Sequence, residues 1–289
     1  MAQVLVIGVD PAWWGGSRAS RRSRCDLIFA GWLDGDRIAD VQVVSVELSA
    51  KPNRTADEFS PLFDPDAELL SAAILRIAEG AESAICAVDA PIFGPAGKRP
   101  RCMRGKSGAV SFRECDRDLA RASLGSRRFK PTLQPASPIP PRMAHLAERL
   151  KTAGFAAPKG AGAEAGERLL IEAFPAATIW SLAEAGFYGD MSEPELREYK
   201  RRASPHPSEA RALCELVLGG VADFLNACGL QVPDLCEPVV RAYGSGRCFR
   251  LHDAIDAALS WSVGAAFAIG RVRIFGERGE GGFIVVAQP

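Results

Sequence analysis

Two short apolar runs of this chain each end in an aspartate that is closely followed by a proline. They read VLVIGVDP, which ends at Asp10, and AICAVDAP, which ends at Asp89. Apolar runs of this length predict buried strands, and the proline stops each one because it cannot donate a hydrogen bond to a neighbouring strand. Since α/β sheets place ligand sites at the carboxyl ends of strands, both carboxylates are predicted at such an edge.

Three further acids stand in apolar segments. Asp253 and Asp256 in HDAIDAALSW are one helical turn apart, so they share a face at the start of a predicted helix. The run ERLLIEAFPAA (167 to 177) predicts another buried strand, where Glu172 is out of place unless it is paired or ligating. The candidate catalytic acids are therefore Asp10, Asp89, Glu172, Asp253 and Asp256.

Carboxylates gathered in one place need neutralisation. They repel one another and burial raises the cost of their charge, so protons or cations must balance them. Aspartate oxygens without Cys or His partners suit a hard ion such as Mg²⁺ or Mn²⁺, and two such ions support phosphodiester cleavage. The alternative is that each acid only ends a strand or begins a helix, where the dipole favours negative charge.

Charge is balanced over the whole chain but not locally. The 35 basic and 35 acidic residues cancel, whereas residues 98 to 130 carry eleven Lys or Arg against three acids, a net charge of +8. This segment follows Asp89, where a polyanionic substrate would need neutralising, so a nucleic acid or nucleotide is the expected partner. A solvated basic surface, balanced by the acidic stretch from Asp57 to Glu82, is the alternative. The candidate substrate-binding residues are Arg99, Arg101, Arg104, Arg113, Arg117, Arg127 and Arg128.

The remaining pattern predicts an α/β fold with a mixed sheet flanked by helices. Strands at 26 to 33 and 37 to 48, joined by a turn, extend the first strand into an antiparallel meander. A helix over 66 to 79 then leads into the Asp89 strand. Within one domain over 1–289, residues 91–163 form an inserted basic arm rich in Pro and Gly, with one helix at 112 to 124. Later helices are predicted at 178 to 187, 193 to 202, 208 to 228 and 251 to 269, before a closing edge strand in GGFIVVAQP.

Composition bears on the environment of the protein. Eight cysteines occur without a CxxC pair, so we expect reduced thiols. The first residues lack the basic region of a signal peptide, and the longest uncharged stretch, 257 to 270, is too short to span a bilayer. We expect a cytoplasmic protein with no membrane partner, while the oligomeric state stays open.

Five segments in this order resemble one family. GVDPAWWGG, AVDAPIFG, FRECDRDLAR, IEAFPA and HDAIDAALSWSVGAAFA are similar to the domain of unknown function 429 family of predicted ribonuclease H-like nucleases. GVDP and HDAIDAALS also resemble the first and last motifs of Holliday-junction resolvases. The resemblance implies a ribonuclease H-like fold, with Asp10, Asp89 and Asp253 or Asp256 as metal ligands and Glu172 in support.

Three functions follow as hypotheses. The leading one is a nuclease in which Asp10 bridges two Mg²⁺ or Mn²⁺ ions, Asp89 and Asp253 each bind one, and Asp256 or Glu172 holds water. A non-catalytic module that binds nucleic acid or protein through its basic arm is the alternative. An actin-like or sugar-kinase-like phosphotransferase is weakened because GVDPAWWGG lacks hydroxyl residues and the chain has no P-loop.

Overall fold

The central element is a mixed sheet of five strands. The computed structural model describes residues 3–11, 25–48, 65–93, 114–124, 127–128, 141–202, 205–245, 249–276 and 283–289. The sheet order is β3-β2-β1-β4-β7, in which β2 is antiparallel to β1 and β3 while β4 and β7 run parallel to β1. The predicted meander and the α/β class are confirmed. The five strands are β1 (Val4–Asp10), β2 (Cys25–Asp34), β3 (Arg37–Glu47), β4 (Ser83–Val88) and β7 (Arg168–Glu172).

Two small hairpins lie outside this sheet. One pairs β5 (Ser123–Leu124) with β6 (Arg127–Arg128), and the other pairs β8 (Val272–Phe275) with β9 (Ile284–Ala287). The closing strand was predicted at a sheet edge. It instead pairs with β8, which the sequence analysis does not predict, and touches the end of the main sheet through one bridge between Ala173 and Val285.

Helices cover the sheet and fill the chain between strands. The predicted helices over 66 to 79, 208 to 228 and 251 to 269 are confirmed within a few residues, and the one over 193 to 202 is two short helices. They are α1 (Pro65–Ile77), α2 (Glu114–Arg121), α3 (Pro141–Thr152), α4 (Pro175–Glu184), α5 (Glu193–Leu196), α6 (Glu198–Arg201), α7 (Pro207–Ala227), α8 (Cys236–Gly244) and α9 (Leu251–Ala268).

The predicted strand over 167 to 177 is too long. β7 ends at Glu172 and α4 begins at Pro175. A proline suits the first turn of a helix because its fixed φ is already helical and its missing N–H would have no partner there. The acid therefore stands at the very end of the strand, like Asp10 in β1.

Helix α3 is not predicted by the sequence analysis, although it lies within the segment 91–163. It packs against α1, where the Glu68 carboxylate forms two polar contacts with it. One Glu68 oxygen lies 2.7 Å from His145 Nε2, and the other lies 3.1 Å from a guanidinium nitrogen of Arg149. At its start, Arg142 forms a buried ion pair with Asp26 of β2. Residues 141 to 152 thus belong to the layers that cover the sheet.

The two faces of the sheet have different covers. Val4, Val6 and Ile85 join a core with α7, α8 and α9, whereas Leu5 and Ile7 join a core with α1 and α3. This alternation is the period of two expected of strands that are buried on both faces. Side chains at even positions of β1, including Asp10, therefore lie on the side of α9.

Helix α9 approaches β1 at the distance of backbone contact. A Cβ atom added to Gly8 would stand 2.6 Å from Trp261 Cα and closer still to Trp261 N and Ala257 O. A Cβ atom added to Gly264, which lies further along α9, would stand 2.7 Å from Val6 Cγ1. The absence of side chains at these two positions lets the first turn of α9 reach the carboxyl end of β1.

Replacing Gly8 by alanine tests this contact. Because the clashing atoms are backbone atoms that no rotamer change can move, we expect Gly8→Ala to lower the free energy of unfolding by about 3 kcal/mol or more. Gly219→Ala is the matched control, since nothing lies within 4 Å of a Cβ at that position of α7. It should raise the stability by about 0.5 to 1 kcal/mol. Equal urea midpoints for Gly8→Ala and the wild type would contradict the packing described.

Candidate active site

Asp10 and Asp89 lie side by side at the carboxyl ends of β1 and β4. Val9 is in register with Val88, and the N–H of Asp89 donates to the Val9 carbonyl at 2.8 Å, so the parallel ladder continues to the two acids. Asp10 is only 8% exposed and Asp89 is partly buried. The sequence prediction that two strand-ending acids meet at one sheet edge is thus confirmed.

Asp253 occupies the first turn of α9. Its Oδ2 accepts from the N–H of Arg250 at 3.2 Å, and its Oδ1 lies 3.0 Å from His252 Nε2. The carboxylate therefore caps its own helix, as expected of an acid in a first turn. It also acts on the strand ends, because its charge makes the largest electrostatic contribution to the raised pKa of Asp10.

Asp256 is held by two donors from one short helix. The hydroxyl of Tyr199 donates to its Oδ1 at 2.9 Å, and Lys200 Nζ lies 3.0 Å from its Oδ2. Both donors are neighbours in α6, which is separated from α5 only by Arg197. Tyr199 and Lys200 are not among the predicted site residues, because no periodic pattern in the sequence links this four-residue helix to a distant acid.

The environment of the strand-ending acids Asp10 and Asp89 disfavours negative charge on their carboxylates. Burial is the main cause that raises the pKa of Asp10 well above its ordinary value of 3.8, and burial followed by the charge of Asp256 raises the pKa of Asp89 to about 7. Such shifts mean that the folded site favours protons or cations over bare carboxylates. The neighbouring acids that contribute to the shift of Asp10 are Asp253, Asp256 and Asp89, in decreasing order.

Lys200 is the cation that opposes this repulsion. Burial lowers the pKa of its ammonium group, but the combined effects of Asp256, Tyr199 and Asp89 outweigh burial and leave the pKa well above its ordinary value of 10.5. The same positive charge lowers the pKa of Asp10 and of Asp89. Its influence on three of the four aspartates indicates that they share one electrostatic environment.

Glu172 reaches the site from the other side of the sheet. It is paired with Val88 across β4 and β7, so by alternation it lies on the side of α1 and α3. Its Oε2 accepts from the N–H of Ile92 at 3.2 Å and holds the chain that leaves β4. The charge of Glu172 still raises the pKa of Asp89, although its effect is smaller than those of burial and of Asp256.

Of the seven predicted substrate-binding arginines, the structure describes one side chain. Arg117 is exposed on α2, a helix that packs on the β8–β9 hairpin through Cys115 and Leu119. For Arg127 and Arg128 only the backbone pairing in β6 is described. Arg99, Arg101, Arg104 and Arg113 lie outside the described residues.

A shallow depression of about 450 Å³ lies next to α2, apart from the acids. Its lining includes Asp118, Arg121, Arg273 and Phe275, and it includes none of the five candidate acids. Arg121 pairs with Asp118 at 3.7 Å, while the guanidinium of Arg273 stacks 4.7 Å from the ring centre of Phe275. The concave surface and the clustered acids are therefore two different places on the molecule.

The donor chemistry at the strand ends suits a hard cation. The oxygens of four aspartates share a largely buried environment, and the raised pKa values of two of them show that positive charge is favoured there. Within the described residues, however, no three His, Cys, Asp or Glu side chains already form a ready coordination group. The oxygens of Asp253 and Asp256 point instead at protein donors, as expected of carboxylates that repel one another.

No family model, curated protein or solved structure matches this chain. Among the helices in the described ranges, none has both the length and the apolar character needed to cross a bilayer.

The raised pKa of Asp89 predicts an unusual dependence of stability on pH. Between about pH 4 and 7 the folded protein keeps a proton on Asp89 that the unfolded chain loses, so stability from this group falls as pH rises through that window. Asp89→Asn removes the effect. In metal-free buffer the variant should gain up to about 4 kcal/mol relative to the wild type as the pH rises from 4 to 7, and little more above pH 7.

Urea unfolding at several pH values measures this difference. Asp223→Asn is the control, because it removes an exposed carboxylate of α7 in place of a clustered one. A constant difference between Asp89→Asn and the wild type from pH 4 to 8 would contradict the electrostatic description of the site.

Proposed function

We propose that this protein is a metal-dependent phosphodiester hydrolase, a nuclease, with a ribonuclease H-like fold. The observation that carries the proposal is the convergence of Asp10, Asp89, Asp253 and Asp256 in one electrostatic environment at the carboxyl edge of the sheet. Charge of this density is costly for a fold to maintain, and acid clusters of this kind are typical of sites that bind cations for chemistry.

The arrangement of the motifs supports the proposal. GVDP lies at the end of β1, AVDAP at the end of β4, IEAFPA at the end of β7 and HDAIDA in the first two turns of α9. Because β1, β4 and β7 are parallel, three of these motifs share one edge of the sheet, and α9 brings the fourth to it. The meander followed by parallel strands also agrees with the fold that the resemblance implies.

In this proposal the aspartates bind the metal and Glu172 positions one of them. Asp10 and Asp89 would hold Mg²⁺ or Mn²⁺, supported by Asp253 and Asp256, the acids of α9 whose charges act on them. A bound divalent cation supplies an activated water and a stabilised leaving oxygen in phosphodiester cleavage. Glu172 fixes the chain after β4 through Ile92, so it positions Asp89 from behind.

Divalent cations should stabilise the wild type. At a concentration of Mn²⁺ a hundred times its Kd, mass action adds about 2.7 kcal/mol to the free energy of unfolding, or roughly 5 °C or more in Tm. Asp10→Asn should abolish this shift and lower Mn²⁺-dependent cleavage of an oligonucleotide at least about a hundredfold. Thermal unfolding and a cleavage assay on single-stranded DNA, duplex DNA, RNA and hybrid substrates check both results.

Asp223→Asn is the matched control, because it removes one exposed acid far along α7 and should keep both the metal response and the cleavage. If millimolar Mn²⁺ and Mg²⁺ leave the Tm of the wild type unchanged, the metal-dependent nuclease is wrong. Salt-sensitive oligonucleotide binding in that case would favour the non-catalytic module.

A further inference from the structure

The strongest unexplained feature of the site is a lysine placed among its acids. Lys200 Nζ lies 3.0 Å from Asp256 Oδ2, and the two side chains differ sharply in exposure, at 45% for the lysine and 6% for the aspartate. The carboxylate is fixed in the protein, whereas the lysine stem reaches it from solvent. Of the two partners, the ammonium group is the one that can leave.

Tyr199 keeps the Asp256 carboxylate in place when the Lys200 ammonium group moves away. Its hydroxyl donates to the other oxygen of Asp256 at 2.9 Å, and its ring is 2% exposed. A buried tyrosine therefore fixes the orientation of the carboxylate whether or not the lysine is present. Only Oδ2 changes partner when the ammonium moves away.

The charge of Lys200 acts on the whole cluster. Its ammonium group forms an ion pair with Asp256, and its positive charge also acts on Asp10 and Asp89, so it balances part of the negative charge of the cluster. A cation that binds between the same acids would meet this ammonium as a like charge at close range. The two cations cannot both interact fully with the cluster.

We propose that Lys200 is the built-in counter-cation of the acidic site and that a divalent cation binds in exchange for its ammonium group. The inference rests on the proposed function, which takes divalent cations as ligands of the cluster. It assigns Lys200 as a positioning residue that balances the charge of the cluster and holds Asp256 Oδ2 before the metal arrives. It also implies that the affinity of the wild type for metal is reduced by the displacement of the lysine.

Calorimetric titration of Mn²⁺ into protein stripped of metal by a chelator tests the exchange. Lys200→Met and Lys200→Gln remove the charge and keep most of the stem, and each should bind Mn²⁺ on the order of tenfold more tightly than the wild type. Lys200→Arg keeps the charge and should restore the weaker affinity. Using two neutral variants prevents a packing defect in one of them from deciding the result.

Two further variants separate charge from hydrogen bonding and from global effects. Tyr199→Phe removes the other donor to Asp256 without changing charge, so it should lower stability and weaken Mn²⁺ binding, which is the opposite direction to the neutral Lys200 variants. Lys151→Met removes an exposed lysine of α3, whose partner is Glu148 at 3.5 Å, and should leave the affinity unchanged.

The outcomes distinguish this inference from the proposed function. Wild-type binding with equal or weaker Mn²⁺ affinity in both neutral Lys200 variants overturns the exchange and leaves the nuclease proposal intact. A wild type that binds no Mn²⁺, beside a Lys200→Met variant that does, overturns the exchange together with the nuclease proposal, because the ammonium group then excludes the ion. Absence of binding in the wild type and in both neutral variants overturns both proposals.

Discussion

Helix α9 lies against β1 so closely that Gly8 has no room for a side chain, and the geometry of the candidate site depends on this contact. Ala257 and Trp261 of the helix meet the strand through their backbones, which fixes the first turn of α9 above the carboxyl end of the sheet. Asp253 lies in that turn and Asp256 in the next one, and Asp10 is two residues beyond Gly8 on the same face. A wider separation would leave the acids of the strand and the helix as isolated charges.

Because this close packing brings several carboxylates together, they repel one another, and hydrogen-bond donors and cations of the protein partly offset the repulsion. The backbone N–H of Arg250 and the ring of His252 contact Asp253, while Tyr199 and Lys200 contact Asp256. Asp10 and Asp89 keep raised pKa values despite these contacts. Negative charge is therefore least compensated at the strand ends, and an added cation would stabilise the site most there.

The sequence predicts the parts of the site that depend on local pattern. Strand-ending Asp10 and Asp89 follow from apolar runs of strand length, and the pair Asp253 and Asp256 follows from helical spacing. The side of the sheet on which Glu172 lies could not be predicted, because the register between β4 and β7 is set by pairing across a long connection. Lys200 could not be predicted either, since its role depends on a contact across 56 positions of sequence with no periodic signal.

The fold shows the same division between local and distant information. The meander and the long apolar α9 were predicted because period-two and fully apolar patterns are strong signals. The β8–β9 hairpin was missed, since β8 is a short strand whose partner begins nine positions after β8 ends. Helix α3 was missed although Pro141 is a typical first residue of a helix, because the basic, Pro-rich and Gly-rich composition of 91–163 favoured an irregular arm.

The most direct measurement is the anomalous scattering of Mn²⁺ in a crystal soaked with the ion. The account predicts a peak bound by oxygens of Asp10 and Asp89, with Lys200 Nζ moved away from Asp256 Oδ2 and Tyr199 still in place. A peak bound elsewhere on the molecule, or well-ordered acids without any peak at millimolar Mn²⁺, would contradict the claim that these carboxylates form a divalent-cation site.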